Sequence, residues 1–82
     1  MNDNVRSTST GKLIHLVTRR STGDRVFVVE WPDEPKGKRF LELGRIFEGH
    51  FEPIMDAGYA LSPEALRIIA SLIDEETSGG TP

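Results

Sequence analysis

Apolar residues concentrate in three blocks along the chain, each with its own spacing. The first block is a pair of short runs, Lys12–Thr18 (KLIHLVT) and Arg25–Trp31 (RVFVVEW), rich in β-branched and aromatic residues. Arg19-Arg20-Ser21-Thr22-Gly23-Asp24 lies between them, and Gly23 can supply a positive φ. The pair predicts a β-hairpin. On its first strand Leu13, His15 and Val17 share one face, while Ile14, Leu16 and Thr18 share the other. On its second, Val26 and Val28 oppose Phe27, Val29 and Trp31. Neither strand alternates cleanly between apolar and polar, and strands apolar on both faces are usually covered on both sides. One face is expected to meet helices and the other a second subunit.

The second block, Lys38–Phe51 (KRFLELGRIFEGHF), places Phe40, Leu41, Leu43, Ile46 and Phe47 at a helical spacing. It predicts a short amphipathic helix, weakened by Gly44 and capped by Gly49. An alternative is a third strand at Arg39–Leu43 followed by one helical turn. Pro53 and Gly58 then interrupt the chain, and Tyr59-Ala60-Leu61 has room for a brief extended segment.

The third block, Leu61–Glu76, is a helix with well-formed start signals. Ser62 is suited to the N-cap, Pro63 to the first helical position, and Glu64 to the positive end of the dipole. Leu61 and Leu66 occupy the positions of a hydrophobic staple. Glu64, Arg67, Ser71, Asp74 and Glu75 make one polar stripe, and Ala65, Leu66, Ile68, Ile69, Ala70, Leu72 and Ile73 fill the rest. That apolar sector is wider than one hairpin covers. Gly58–Ile73 resembles the opening of a ribbon–helix–helix repressor in its order of short strand, Ser/Pro cap and amphipathic helix. Such repressors need a second helix after the first, so no function is carried over.

These patterns predict a single α+β domain over residues 12–76, a β-hairpin followed by two α-helices (ββαα) with room for a short third strand. Polar residues 1–11 and 77–82 read as flexible tails. At 82 residues the core is small, and domains of this size commonly need a disulfide, a metal or a partner subunit. Cysteine is absent, which removes disulfides and thiolate metal sites and leaves association, so a homodimer or a complex with another protein is expected. With no apolar leader and no run near the roughly 20 residues of a membrane span, the chain reads as cytoplasmic.

Net charge is −3, unevenly spread. Residues 1–40 carry eight Lys/Arg against five Asp/Glu, while residues 41–82 carry two against eight. Lys12, Arg19, Arg20 and Arg25 mark the hairpin, and Lys36, Lys38 and Arg39 the loop after it. A two-stranded ribbon fits a nucleic-acid groove and arginines meet phosphates or guanine edges, although the chain as a whole is acidic.

Catalytic and metal motifs are weak. Thr10-Gly11-Lys12 lacks the upstream glycine of a phosphate loop and has Leu13 where a hydroxyl would bind Mg²⁺. Glu34-Pro35-Lys36, with Asp24 or Asp33, has the residue types of a Mg²⁺-dependent nuclease but sits in a proline-bounded loop. Glu48, His50 and Glu52 have no second histidine nearby, and His15 sits mid-strand among apolar neighbours. No nucleophile–base set stands out. The chain is therefore expected to be non-enzymatic, with no cofactor, metal or small-molecule substrate. Its function is expected to be regulatory or interaction-based. Ile14, Leu16, Phe27, Val29, Trp31, Ile68 and Leu72 are the candidate partner or dimer surface. The alternative is a dimeric nucleic-acid-binding protein using the seven basic residues named above.

Overall fold

The computed structural model describes residues 4–79. Five strands form one antiparallel sheet, each next to its sequence neighbour: β1 (Asn4–Ser7), β2 (Leu13–Thr18), β3 (Arg25–Glu30), β4 (Phe40–Phe47) and β5 (His50–Pro53). A single α-helix among the described residues, α1 (Pro63–Gly79), packs on one face. 3₁₀ turns occupy Lys36–Lys38 and Met55–Ala60. The architecture is α+β, but it is a five-stranded meander with one helix and not the expected ββαα arrangement. No helix among the described residues is long and apolar enough to cross a membrane.

The hairpin of β2 and β3 is present, with Ile14 opposite Val29 and Leu16 opposite Phe27. These four side chains turn to the helix face and are fully buried. The correction falls on residues 38–51, which form the β4–β5 hairpin and not a helix. Two features explain the misleading period. A bulge leaves Leu43 as an extra residue, because Phe27 pairs with Gly44 and Val28 with Glu42. Core-facing positions on β4 therefore run Leu41, Leu43, Ile46, a spacing of two then three that imitates a helix. Glu48 and Gly49 then both take positive φ (53° and 80°) and join Phe47 to His50 in a two-residue turn, the conformation tight hairpins favour. Gly49 thus closes a hairpin and caps no helix.

Gly44 is where the sheet closes most tightly. Its φ is 155°, and a Cβ there would strike the Glu52 carbonyl oxygen and lie 2.8 Å from the Pro53 Cα. That close approach lets Phe51 turn under the sheet, where its ring meets Phe27 edge-on at 5.6 Å.

The expected N-terminal tail also contributes structure. Asn4–Ser7 pairs along β2 from Asn4 opposite Leu16 to Ser7 opposite Leu13. Thr8 closes the connection, donating its N–H (2.8 Å) and its hydroxyl (3.0 Å) to the Lys12 carbonyl. Of the two expected tails, residues 1–3 and 80–82 lie outside the described residues, and residues 77–79 continue α1.

α1 starts as its sequence predicts: the Ala65 N–H donates to Ser62 Oγ at 3.1 Å and the Leu66 N–H to the Ser62 carbonyl at 2.9 Å. Ala65, Ile69 and Leu72 enter the core with Ile14, Leu16, Phe27, Val29 and Leu43. Ion pairs and hydrogen bonds fasten the helix at both ends. Near its start, Glu64 accepts from the Ser9 N–H (2.8 Å) and the Ser9 hydroxyl (2.9 Å). Near its end, Arg6 on β1 grips Glu75 at 2.7 and 2.9 Å, and Arg25 on β3 grips Glu76 at 2.8 and 3.0 Å. Acids at the negative end of a helix are ordinarily unfavourable, and here two arginines of the sheet offset them.

Two measurements test this account of the fold. Gly44→Ala should lower unfolding stability by about 1–3 kcal/mol in urea titration, through the forced φ and the clash with β5. Gly37→Ala, in open space without a positive φ, should stay close to wild type. The second concerns pH. Hydrogen bonds from the Ser9 N–H and then its hydroxyl hold the Glu64 carboxyl below its ordinary value. A depressed carboxyl contributes stability above the ordinary carboxylate range and loses it as pH falls through the folded-state value. The acid limb of the stability curve should therefore be shallower in Glu64→Gln than in wild type.

Candidate binding surfaces

The meander sets the two ends of the sheet apart. The β2–β3 and β4–β5 turns lie at one end, and the β1–β2 and β3–β4 connections at the other. The seven candidate basic residues are therefore divided. Arg19 and Arg20 stand at the first end, Lys12, Lys36, Lys38 and Arg39 at the second, and Arg25 on the helix-facing side of β3. Several are already engaged. Arg19 pairs with Glu42, and Arg25 with Glu76 and with the Thr18 hydroxyl at 2.9 Å. The Arg39 Nε donates to the Glu34 carbonyl at 3.3 Å. Arg20, Lys36 and Lys38 are exposed.

The seven apolar candidates have a common location as well. Ile14, Leu16, Phe27, Val29 and Leu72 have no exposed surface, and Trp31 and Ile68 are half-buried against the same cluster. They build the core beneath α1, so a partner would reach the five buried ones only by displacing the helix.

The sheet face turned away from α1 carries its own polar lattice. Arg45 donates to Glu52 at 2.6 Å and to Asp24 at 3.4 Å, and its guanidinium lies 4.6 Å from the centre of the Phe47 ring. The Glu52 hydrogen bond, with Asp24 adding, raises the guanidinium pKa further above its ordinary value. His15 Nε2 is 2.8 Å from Glu30 Oε1, and its ring is tilted against Phe40 at 6.3 Å. Among the described residues no buried side-chain N or O lacks a hydrogen-bond partner. Charges on this face largely answer one another.

Among the described residues the acids the sequence offered do not come together. Asp24 is occupied by Arg45 and by the Thr22 hydroxyl at 3.0 Å. Asp33, Glu34 and Lys36 remain in an exposed loop. Among the described residues no three His, Cys, Asp or Glu side chains gather as a metal site would require, and Glu48, His50 and Glu52 follow one another around the β4–β5 hairpin without converging.

What remains is a groove of about 360 Å³ along the flank of α1. Leu66, Ala70 and Ile73 line its helix side, with Ile69 at the base and Asp74 at one end. Gly49, His50 and Phe51 form the opposite wall. Leu66 is 43% exposed, whereas Ile69 and Leu72 on the same helix are buried. β5 is an edge strand whose described neighbour is β4 alone. Reasoning from sequence did not single this groove out. Its available signal was the over-wide apolar sector of α1, on which Leu66, Ala70 and Ile73 already lay. The β5 wall was hidden by the helical reading of residues 38–51. A separate apolar patch, Met55 and Tyr59, stands almost fully exposed in the turn before α1.

The fold and groove together define the architecture: a small meander sheet with one covering helix and a lateral cleft beside it. Comparison with known proteins finds no matching family model and no significant match among curated proteins or solved structures.

Proposed function

We propose that this chain is a non-enzymatic binding module that engages a protein partner through the groove between α1 and β5. The observation that carries the reading is the pairing of an exposed apolar helix stripe with an edge strand along one cleft. Edge strands offer unpaired backbone N–H and C=O groups to another chain. A neighbouring apolar cleft can take that chain's side chains, the combination used where an extended segment adds to a sheet. His50–Pro53 would supply the backbone register, and Leu66, Ala70 and Ile73 the apolar contacts. Pro53, which has no N–H to donate, limits that register to the start of β5.

A second reading is supported by a different observation. Lys36 and Lys38 are exposed on the β3–β4 connection, at the same end of the sheet as Lys12 and Arg39. Such a cluster could meet phosphates of a nucleic acid. It has fewer cations than the sequence suggested, because Arg19 and Arg25 answer Glu42 and Glu76.

One selection tests the first reading. Linear peptides selected for binding to the chain should shift the backbone amide resonances of His50–Phe51 and Leu66–Ile73, and should lose binding in Leu66→Asp. That variant should keep its thermal midpoint within a few degrees, since Leu66 is already partly in solvent. Binders that shift only the outer sheet face or the 32–39 loop would contradict the reading. For the second reading, a low-salt mobility shift with single- and double-stranded DNA and RNA should disappear in the Lys36→Ala/Lys38→Ala double variant. With so few phosphate contacts, binding should fall with salt at a slope of only about −1 to −3 on logarithmic axes.

A further inference from the structure

We infer that the partner occupying the α1–β5 groove is a second copy of this chain, with the two α1 helices packed antiparallel about a two-fold axis level with Ile69 and Ala70. The inference rests on the reading of the groove as a binding surface, and gives it the helix of a second copy in place of an extended segment.

The helix stripe is self-complementary. Leu66 and Ile73 are the large exposed or half-exposed apolar residues on this flank, and they lie symmetrically about the 69–70 level. A two-fold axis there sets each Leu66 against Ile73 of the other copy. Ala70 sits at the crossing, where a small side chain lets two helices approach to the roughly 8–10 Å of packed pairs. Charge follows the same symmetry. Arg67 and Asp74 are seven residues apart, about 10.5 Å along the axis. They therefore lie on the same edge of the stripe, just outside it. In an antiparallel pair that edge faces its own counterpart, so each Arg67 comes beside Asp74 of the other copy. Among the described residues neither makes an ion pair within 4 Å, and Arg67 acts only at longer range on Glu64, one turn earlier on the helix.

The opposite flank of the helix contrasts with this one. There Glu75 is held by Arg6, and Glu76, on the side turned to the sheet, is held by Arg25 of the same chain. Charges that face the sheet are thus paired at contact distance within the chain, and Arg67 and Asp74 beside the groove have no such contact. A helical partner would have to present an apolar stripe flanked by acid and base in the reverse order, and a second copy carries that surface already. The groove wall formed by Gly49 and His50 would then border the second helix, closing the cleft from the sheet side.

Charge reversal tests the geometry. Light scattering of the full chain should give a mass that rises toward twice the monomer with concentration. Arg67→Glu should weaken the association by about tenfold, since two attractive contacts become repulsive. Asp74→Arg should do the same. The double variant Arg67→Glu/Asp74→Arg should restore it, because the swapped charges meet again only across antiparallel copies. Circular dichroism confirms that each variant is folded. A monomer at every concentration, or a dimer indifferent to both single variants, would overturn the inference. A photocrosslinker at Ala70, activated in the host cell, separates this failure from failure of the groove reading. A product of twice the chain mass supports the second copy. A product with a different protein only overturns the dimer while leaving the groove as a binding surface, and no product overturns both.

Discussion

The close approach of Gly44 to β5 is the constraint on which the rest of the structure turns. With no Cβ at this position, the backbone of Glu52 and Pro53 can lie against β4 at a distance no other residue permits. The bulge beside it gives Leu43 to the core and bends the sheet. Bending brings Phe51 against Phe27, so the fifth strand wraps toward the helix and becomes the wall of a cleft. A flat sheet would leave β5 outside the reach of α1. One glycine therefore links the core to the candidate site.

The second determinant is how α1 is held. Its core stripe of Ala65, Ile69 and Leu72 covers Ile14, Leu16, Phe27 and Val29, and three polar anchors at its ends set its direction across the sheet. Exposed ion pairs individually contribute little, but these share one geometric task, which is to stop the helix rotating about its long axis. Rotation would bury Leu66 and Ile73 and expose part of the true core. Held in place, the helix keeps one apolar flank open beside β5. The open flank is a property of the whole arrangement and not of the helix alone.

Residues 61–76 show how much was legible. The Ser62 cap, the Pro63 start and the helical period all pointed to α1, and the structure has each of them. The β2–β3 hairpin was legible for the same reason: β-branched runs around a glycine turn have few alternatives. Residues 38–51 were not, because a bulge converts a two-residue alternation into a spacing that a helix also satisfies, and a bulge depends on the partner strand. β1 was hidden too, since Asn4–Ser7 has one apolar residue and owes its strand to pairing with β2. Strands apolar on both faces suggested a helix on one side and a second subunit on the other; α1 covers one face, and the other carries ion pairs among its apolar residues. The wide apolar sector of α1 was a sound signal, but only the position of β5 shows which part of it stays open.

The central claim is that the core is complete within one chain and that association is confined to the α1–β5 flank. Residue-resolved amide hydrogen exchange at low and high protein concentration tests it most directly. The β2 and β3 amides should stay strongly protected in dilute, monomeric protein, while protection in His50–Phe51 and Leu66–Ile73 should rise with concentration beyond the shared gain that association gives every core amide. Loss of β2 and β3 protection in the dilute protein would mean that the core itself depends on a partner, and would contradict the claim.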